Sequence, residues 1–131
     1  MDQPTITYDE FTDTLSVEFE HGPDATSLTL NEYMGLRLNV AQRQVYGMIL
    51  ADYSLLISQT KCGPRAFPLI GLNELEAELR ALVLDLLGAE PARQIVSLGV
   101  YTPSLVDTMP IISVKEVYSL ENALGQSQLA A

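Results

Sequence analysis

Two reactive side chains stand out in the sequence, and each lacks the neighbours that catalysis requires. His21 is the only histidine and lies in a Gly-Pro turn segment. A catalytic base needs an adjacent nucleophile and a group that orients it, and no Gly-x-Ser-x-Gly motif accompanies His21. Cys62 is the only cysteine, so Cys62-Gly63-Pro64-Arg65 lacks the second thiol of a thioredoxin-type site. We predict that His21 and Cys62 are dispensable and that the protein has no catalytic residues.

Acidic side chains near the start of the chain are the other candidates for chemistry. Asp9, Glu10 and Asp13 could together bind a hard cation. A calcium loop alternates oxygen ligands around a glycine and ends on a distal Glu. This segment has no such glycine and too few ligands, so its Asp residues are predicted to form a turn. The sequence also lacks the Gly-x-Gly-x-x-Gly and Gly-Lys-Ser/Thr motifs of phosphate loops. We predict no metal and no cofactor.

The charge of the chain is strongly negative and unevenly placed. The net charge is −10, and eight acids precede the first lysine or arginine, Arg37. Such a field repels phosphate backbones and anionic membrane surfaces, so we predict neither nucleic acid nor membrane as a partner. A surface for a basic protein partner is one interpretation of the acidic half. A solvated face that keeps the protein soluble is the interpretation that we favour.

Length and cysteine usage indicate one domain in a reducing compartment. A chain of 131 residues has the size of a single domain. One cysteine excludes a disulfide within the chain. No apolar run has the length of a membrane span, and no signal peptide is evident at the first residues. The predicted location is the cytoplasm.

Alternating apolar residues predict five strands in the first half, over residues 5–8, 15–19, 28–30, 36–40 and 45–50. The first two are expected to form a hairpin. The fifth is apolar on both faces, so it should be covered on both sides, and Gly47 within it suggests a bulge or a close approach by another backbone. Asp52 is predicted to cap a short helical turn.

Leucines at helical spacing predict one long helix over residues 72–87, with Asn73 as N-cap and Glu76 completing a capping box. Residues 95–101 are predicted as a strand, although Pro91 could instead begin a short helix. Residues 111–117 are predicted as the last strand, and Ser119 as the cap of a short terminal helix. The predicted fold class is α+β: a twisted, mainly antiparallel sheet with one long amphipathic helix packed on a face.

Short motifs punctuate the first half: Tyr8-Asp9, Asp13-Thr14-Leu15 and, after Gly47-Met48, Asp52-Tyr53-Ser54. In this order they resemble the opening and the close of a bacterial family known as domain of unknown function 2283. The resemblance covers residues 4–57, and residues 61–131 form an extension expected to pack on that part within a single domain. The family implies no activity and no catalytic residues. The proteins that accompany this family imply a partner-binding protein of the antitoxin kind.

One departure from the family concerns the fifth strand. The family usually has an acidic residue at the position of Ile49, which implies that this position is exposed to solvent in the family. We therefore expect Ile49 to be covered here, by the extension after Lys61 or by a second subunit.

Excess apolar surface predicts a homodimer or higher homo-oligomer, because two-fold pairing is the commonest arrangement. The helix, over residues 82–87, is apolar beyond one stripe. The leading hypothesis is a non-enzymatic interaction module that self-associates. The alternatives are a small hydrolase-like enzyme that uses scattered carboxylates with Cys62 or His21, and a small-ligand-binding domain with a pocket between helix and sheet. The candidate interaction residues are Val45, Tyr46, Met48, Ile49, Leu50, Leu84 and Leu87.

Overall fold

The first half of the chain forms a five-stranded sheet. The structure, a computed structural model, describes residues 4–61, 63–101 and 109–118. The strands are β1 (Thr5–Asp9), β2 (Thr14–Glu18), β3 (Thr26–Thr29), β4 (Met34–Asn39) and β5 (Gln44–Leu50). They are antiparallel to their neighbours, in the order β1-β2-β5-β4-β3. The five predicted strands and the first hairpin are confirmed.

The second half adds shorter elements and a second sheet. In chain order its elements are α1 (Tyr53–Leu56), β6 (Gln59–Thr60), β7 (Gly63–Pro64), β8 (Ala66–Pro68), a 3-10 helix Ile70–Glu74, α2 (Ala77–Leu87), a 3-10 helix Ala92–Gln94, β9 (Val96–Tyr101) and β10 (Met109–Val114). Strands β6 and β7 form a two-stranded ribbon, and the second sheet is antiparallel with the order β8-β10-β9. Both alternatives for the segment after Pro91 are therefore partly right, since a short helical turn precedes the strand. The predicted helix at Ser119 lies outside the described residues.

The hydrophobic core lies on one side of the five-stranded sheet, which we call its inner face. Alternate residues of each strand point to this face, because successive side chains of a strand point to opposite sides. The second half covers this face, and a single cluster of buried side chains includes residues of both halves. The inner-face members from β2, β4 and β5 are Leu15, Val17, Met34, Leu36, Leu38, Val45, Met48 and Leu50.

The helix prediction was wrong in its start and in its length. Helix α2 begins at Ala77, and Glu76 occupies the N-cap position without a side-chain cap bond. The residues before it are held in the 3-10 helix, because the Gly71 N–H donates to the Leu30 carbonyl at 2.8 Å. A Cβ at Gly71 would overlap the Thr29 carbonyl oxygen, so this turn lies directly against the end of β3. The fold is mainly sheet, and α2 is the only helix of seven or more residues among those described.

The cap predicted for the short helix α1 comes from a different residue. Asp52 lies at the N-cap position with φ of 51° and makes no side-chain cap bond. The Asp13 carboxylate accepts the Ser54 N–H instead, at 3.1 Å, and the Asp13 carbonyl accepts the Tyr53 N–H at 2.9 Å. The turn between β1 and β2 therefore satisfies the first amide donors of α1, which a helix leaves unpaired.

Candidate interaction surface

The opposite, outer face of the five-stranded sheet carries small side chains around one large apolar residue. Ile49 on β5 is 57% exposed, although its chain neighbours Met48 and Leu50 are buried. A concave groove of about 410 Å³ lies around it. The outward-facing residues that line the groove are Ser16, Glu18, Ser27, Thr29, Gly35, Arg37, Gly47 and Ile49, together with Val17, Leu28, Leu36 and Met48, whose side chains belong to the core.

The strand register places large residues beside glycines in this groove. Ile49 on β5 pairs with Gly35 on β4, and Gly47 on β5 pairs with Arg37 on β4. A Cβ at Gly35 would lie 3.7 Å from the nearest atom, the Leu28 carbonyl oxygen, which is an ordinary contact. Gly35 therefore leaves an open depression beside Ile49.

Gly47 has a different and stricter reason to be glycine. A Cβ there would lie 2.6 Å from the Val17 carbonyl oxygen of β2. The pairing of β4 with β5 also shifts register between Arg37 and Leu38, which is the irregularity expected of a bulge. Both interpretations of a glycine inside this strand are confirmed.

An ion pair crosses the groove above Gly47. Glu18 on β2 and Arg37 on β4 both pair with Gly47, one from each side. The Arg37 guanidinium donates to Glu18 Oε1 at 2.8 Å, with both side chains partly exposed. The absence of a side chain at Gly47 gives this pair room to span β5. His21 Nδ1 lies 3.2 Å from the same carboxylate oxygen.

Most of the candidate interaction residues are buried in the protein interior. Val45, Met48, Leu50 and Leu87 are fully buried in the core, so they are unavailable as a free surface. The two-faced apolar pattern of β5 misled the prediction, because the bulge returns Val45 to the inner face opposite Leu38. Leu84 is half-buried and packs against the core.

Tyr46 is buried for another reason, since it lies beneath the turn after β2. Its hydroxyl donates to the Pro23 carbonyl at 3.1 Å and accepts from Asn39 Nδ2 at 3.1 Å. A Cβ at Gly22 would overlap the Tyr46 hydroxyl, so the turn closes tightly over the ring. Tyr46 therefore fixes this turn and is no part of an exposed patch.

Ile49 is the one candidate interaction residue whose side chain is mostly exposed to solvent. The described part of the extension does not cover Ile49, contrary to the prediction, because its buried side chains join the core on the inner face and Ile49 points to the outer one. The sequence could have indicated this orientation. Successive residues of a strand point to opposite faces, and Ile49 lies between two inward-facing residues. Cover by a second subunit stays a prediction.

A polar cluster joins three residues of the quoted motifs and was missed by sequence reasoning. The Tyr8 hydroxyl donates to Asp13 Oδ1 at 2.7 Å, and Ser54 Oγ donates to the same oxygen at 2.9 Å. The hydrogen bond to Asp13, burial and the negative charge of Asp13 raise the pKa of Tyr8 to about 12. A hydroxyl with that pKa keeps its proton at neutral pH, so Tyr8 stays a hydrogen-bond donor to Asp13 and the cluster ties the β1–β2 turn to α1.

The other candidates for chemistry do not converge on one site in the part of the chain that the structure describes. Among the described residues no three His, Cys, Asp or Glu side chains are grouped to hold a metal. Asp9 serves a turn, because its carboxylate accepts the Phe11 N–H at 2.9 Å. The His21 side chain is 87% exposed, and Cys62 lies outside the described residues.

Comparison with known proteins returned no matching family model, no matching curated protein and no matching solved structure. The resemblance to domain of unknown function 2283 therefore stays a prediction. No helix within the described ranges is long and apolar enough to cross a membrane.

Proposed function

We propose that this chain is a non-enzymatic protein-interaction module that binds a second copy of itself through the outer face of its five-stranded sheet. The observation that carries this proposal is the exposed side chain of Ile49 in a groove at the middle of that face. The inner face of the same sheet is covered by the second half of the chain. In such a contact Ile49 would be the apolar centre and the polar side chains of the groove its rim, which is the usual arrangement of an interface.

The charge distribution supports this face as the place where two copies approach. Each copy has a net charge of −10, so two copies repel each other over most of their surfaces. The groove lining contains one acid and one base, Glu18 and Arg37, and these form an ion pair. The groove is therefore locally neutral, so the repulsion between two copies is weaker there than over the rest of their surfaces.

The size of the face predicts reversible association. Five strands at about 4.8 Å spacing and about five residues of about 3.3 Å give a face of roughly 400 Å². Stable complexes bury about 800 Å² on each partner. We therefore expect a dimer whose fraction rises with protein concentration.

Molecular mass measured across a concentration series tests the proposal. The wild type should shift from monomer to dimer mass, whereas Ile49→Glu should stay monomeric because it places two charges in the contact. Ile70→Glu is the matched control, since Ile70 is 56% exposed and lies outside the groove. It should dimerise like the wild type. A wild type that stays monomeric at every concentration, or equal dimerisation of both variants, would contradict the proposal.

A small-ligand-binding function is the second candidate, because the groove volume lies within the roughly 300–1,000 Å³ of ligand pockets. The groove is on the outer face, whereas the sequence placed such a pocket between helix and sheet. A ligand screen by melting temperature on the wild type and Arg37→Ala distinguishes this function from self-association. The antitoxin-type version and a basic protein partner stay predictions, and an enzyme would require loss of function in His21→Ala or Cys62→Ser without loss of folding.

A further inference from the structure

We infer that the two copies meet about a two-fold axis that runs parallel to the strands between β4 and β5, so that Ile49 of each copy faces Gly35 of the other. This inference rests on the proposed function, since it specifies the geometry of the same contact. It identifies Ile49 and Gly35 as the residues that determine the pairing.

The register of β4 and β5 carries the inference. Across this strand pair, Ile49 lies beside Gly35, and Gly47 lies beside Arg37. Large and small residues therefore alternate in both directions over four adjacent positions. A rotation about an axis between the two strands exchanges the two columns, so β5 of one copy lies over β4 of the other. Ile49 then faces Gly35 of the second copy. Gly47 offers no second depression, because the Arg37–Glu18 ion pair of its own copy lies above it.

The flanking strands fit the same axis. In the row of the ion pair, Glu18 on β2 faces Ser27 of the second copy on β3, because these residues are the outer neighbours of Gly47 and Arg37. A hydroxyl there can donate to the carboxylate. Face-to-face sheets lie about 10 Å apart, which leaves room for one large side chain between a residue and an opposing glycine.

An axis along β5 itself would place Ile49 of one copy against Ile49 of the other and leave the depression at Gly35 empty in both copies. An axis between β2 and β5 would place Ile49 against Ser16, which has less room than a glycine. The axis between β4 and β5 fills the depression at Gly35 in each copy, and close packing at the centre of an interface favours it.

Variants that exchange the large side chain of Ile49 and the space at Gly35 test this geometry. The variants are Gly35→Ile, Ile49→Ala and the double variant. Gly35→Ile suits this purpose because a Cβ at Gly35 meets only an ordinary contact, so the monomer should fold as before. Circular dichroism and melting of dilute protein check this for every variant.

Dissociation constants from sedimentation decide the result. Gly35→Ile should weaken the dimer at least about tenfold, because Ile49 then meets a filled depression twice per dimer. Ile49→Ala should weaken it by a smaller factor. The double variant should recover to within about threefold of the wild type, since the isoleucine introduced at position 35 meets the space left by the alanine at position 49.

Two results would overturn the inference while leaving self-association in place: a Gly35→Ile dimer as tight as the wild type, or a double variant no tighter than Gly35→Ile. A wild type that never dimerises would overturn both the inference and the proposed function.

Discussion

The two faces of the five-stranded sheet differ in almost every physical property, although they belong to the same strands. The inner face carries large apolar residues that are buried beneath the second half of the chain. The outer face carries serine, threonine and glycine around Ile49 and one ion pair. The inner face therefore stabilises the fold, and the outer face is available for another molecule.

The boundary between these two roles falls between adjacent residues. Met48 is 1% exposed and Ile49 is 57% exposed, and both are apolar. Hydrophobicity alone therefore does not separate a core residue from a surface residue on this strand. The direction of the side chain separates them, because a strand presents successive residues to opposite faces.

Alanine at these two adjacent positions gives the largest expected contrast. Met48→Ala should lower the free energy of unfolding by about 2–5 kcal/mol, because it leaves a cavity in the core. Ile49→Ala should change it by at most about 0.5 kcal/mol in dilute protein, since an exposed side chain contributes little to folding. Denaturant unfolding of both variants measures the difference. Equal losses would mean that Ile49 is covered within its own chain.

The two glycines of the outer face should also respond unequally. Gly47→Ala should lower the free energy of unfolding by about 1–3 kcal/mol, because its Cβ would lie too close to the Val17 carbonyl oxygen. Gly35→Ala should be near neutral, since its Cβ meets no close atom. Thermal melts of the two variants test this contrast, and a neutral Gly47→Ala would show that β2 and β5 can separate freely.

Alkaline titration tests the polar cluster that joins β1–β2 to α1. The pKa of Tyr8 is raised from 10.0 to about 12 in the folded state, so the folded protein holds this proton longer than the unfolded chain does. The contribution of Tyr8 is complete below about pH 10 and is lost as the pH rises towards 12. Tyr8→Phe should make the fall in stability over this range shallower. Part of the fall should remain, because the pKa values of Tyr33 and Tyr53 are also raised. Identical slopes for variant and wild type would contradict this account.

Salt should have the smallest effect, and its sign is informative. Added sodium chloride should tighten the dimer a few-fold, because it screens the repulsion between two chains of net charge −10. An interface held by ion pairs between the copies would weaken instead. Sedimentation at low and high salt decides between these outcomes.

The strand pattern of the first half could be predicted from the sequence, because alternation of apolar residues determines which face is buried. The start of α2 could not, because Gly71 meets the end of β3, which is distant in sequence. The predicted cap of α1 was wrong for the same reason, because Asp13, from the turn between β1 and β2, accepts the Ser54 N–H that Asp52 was expected to accept. The candidate surface was found only at Ile49, because a two-faced apolar strand resembles an interface until the bulge at Gly47 is known.

Protection of the outer face on dimerisation tests the central claim most directly. In a Cys62→Ser background, the variants Ser16→Cys and Ser97→Cys each place one thiol on an exposed strand position, the first in the groove and the second on β9. The rate of thiol modification should fall for Ser16→Cys as protein concentration rises through the dissociation constant, and should stay constant for Ser97→Cys. A dimer that forms by mass while the Ser16→Cys thiol reacts at an unchanged rate would contradict the account.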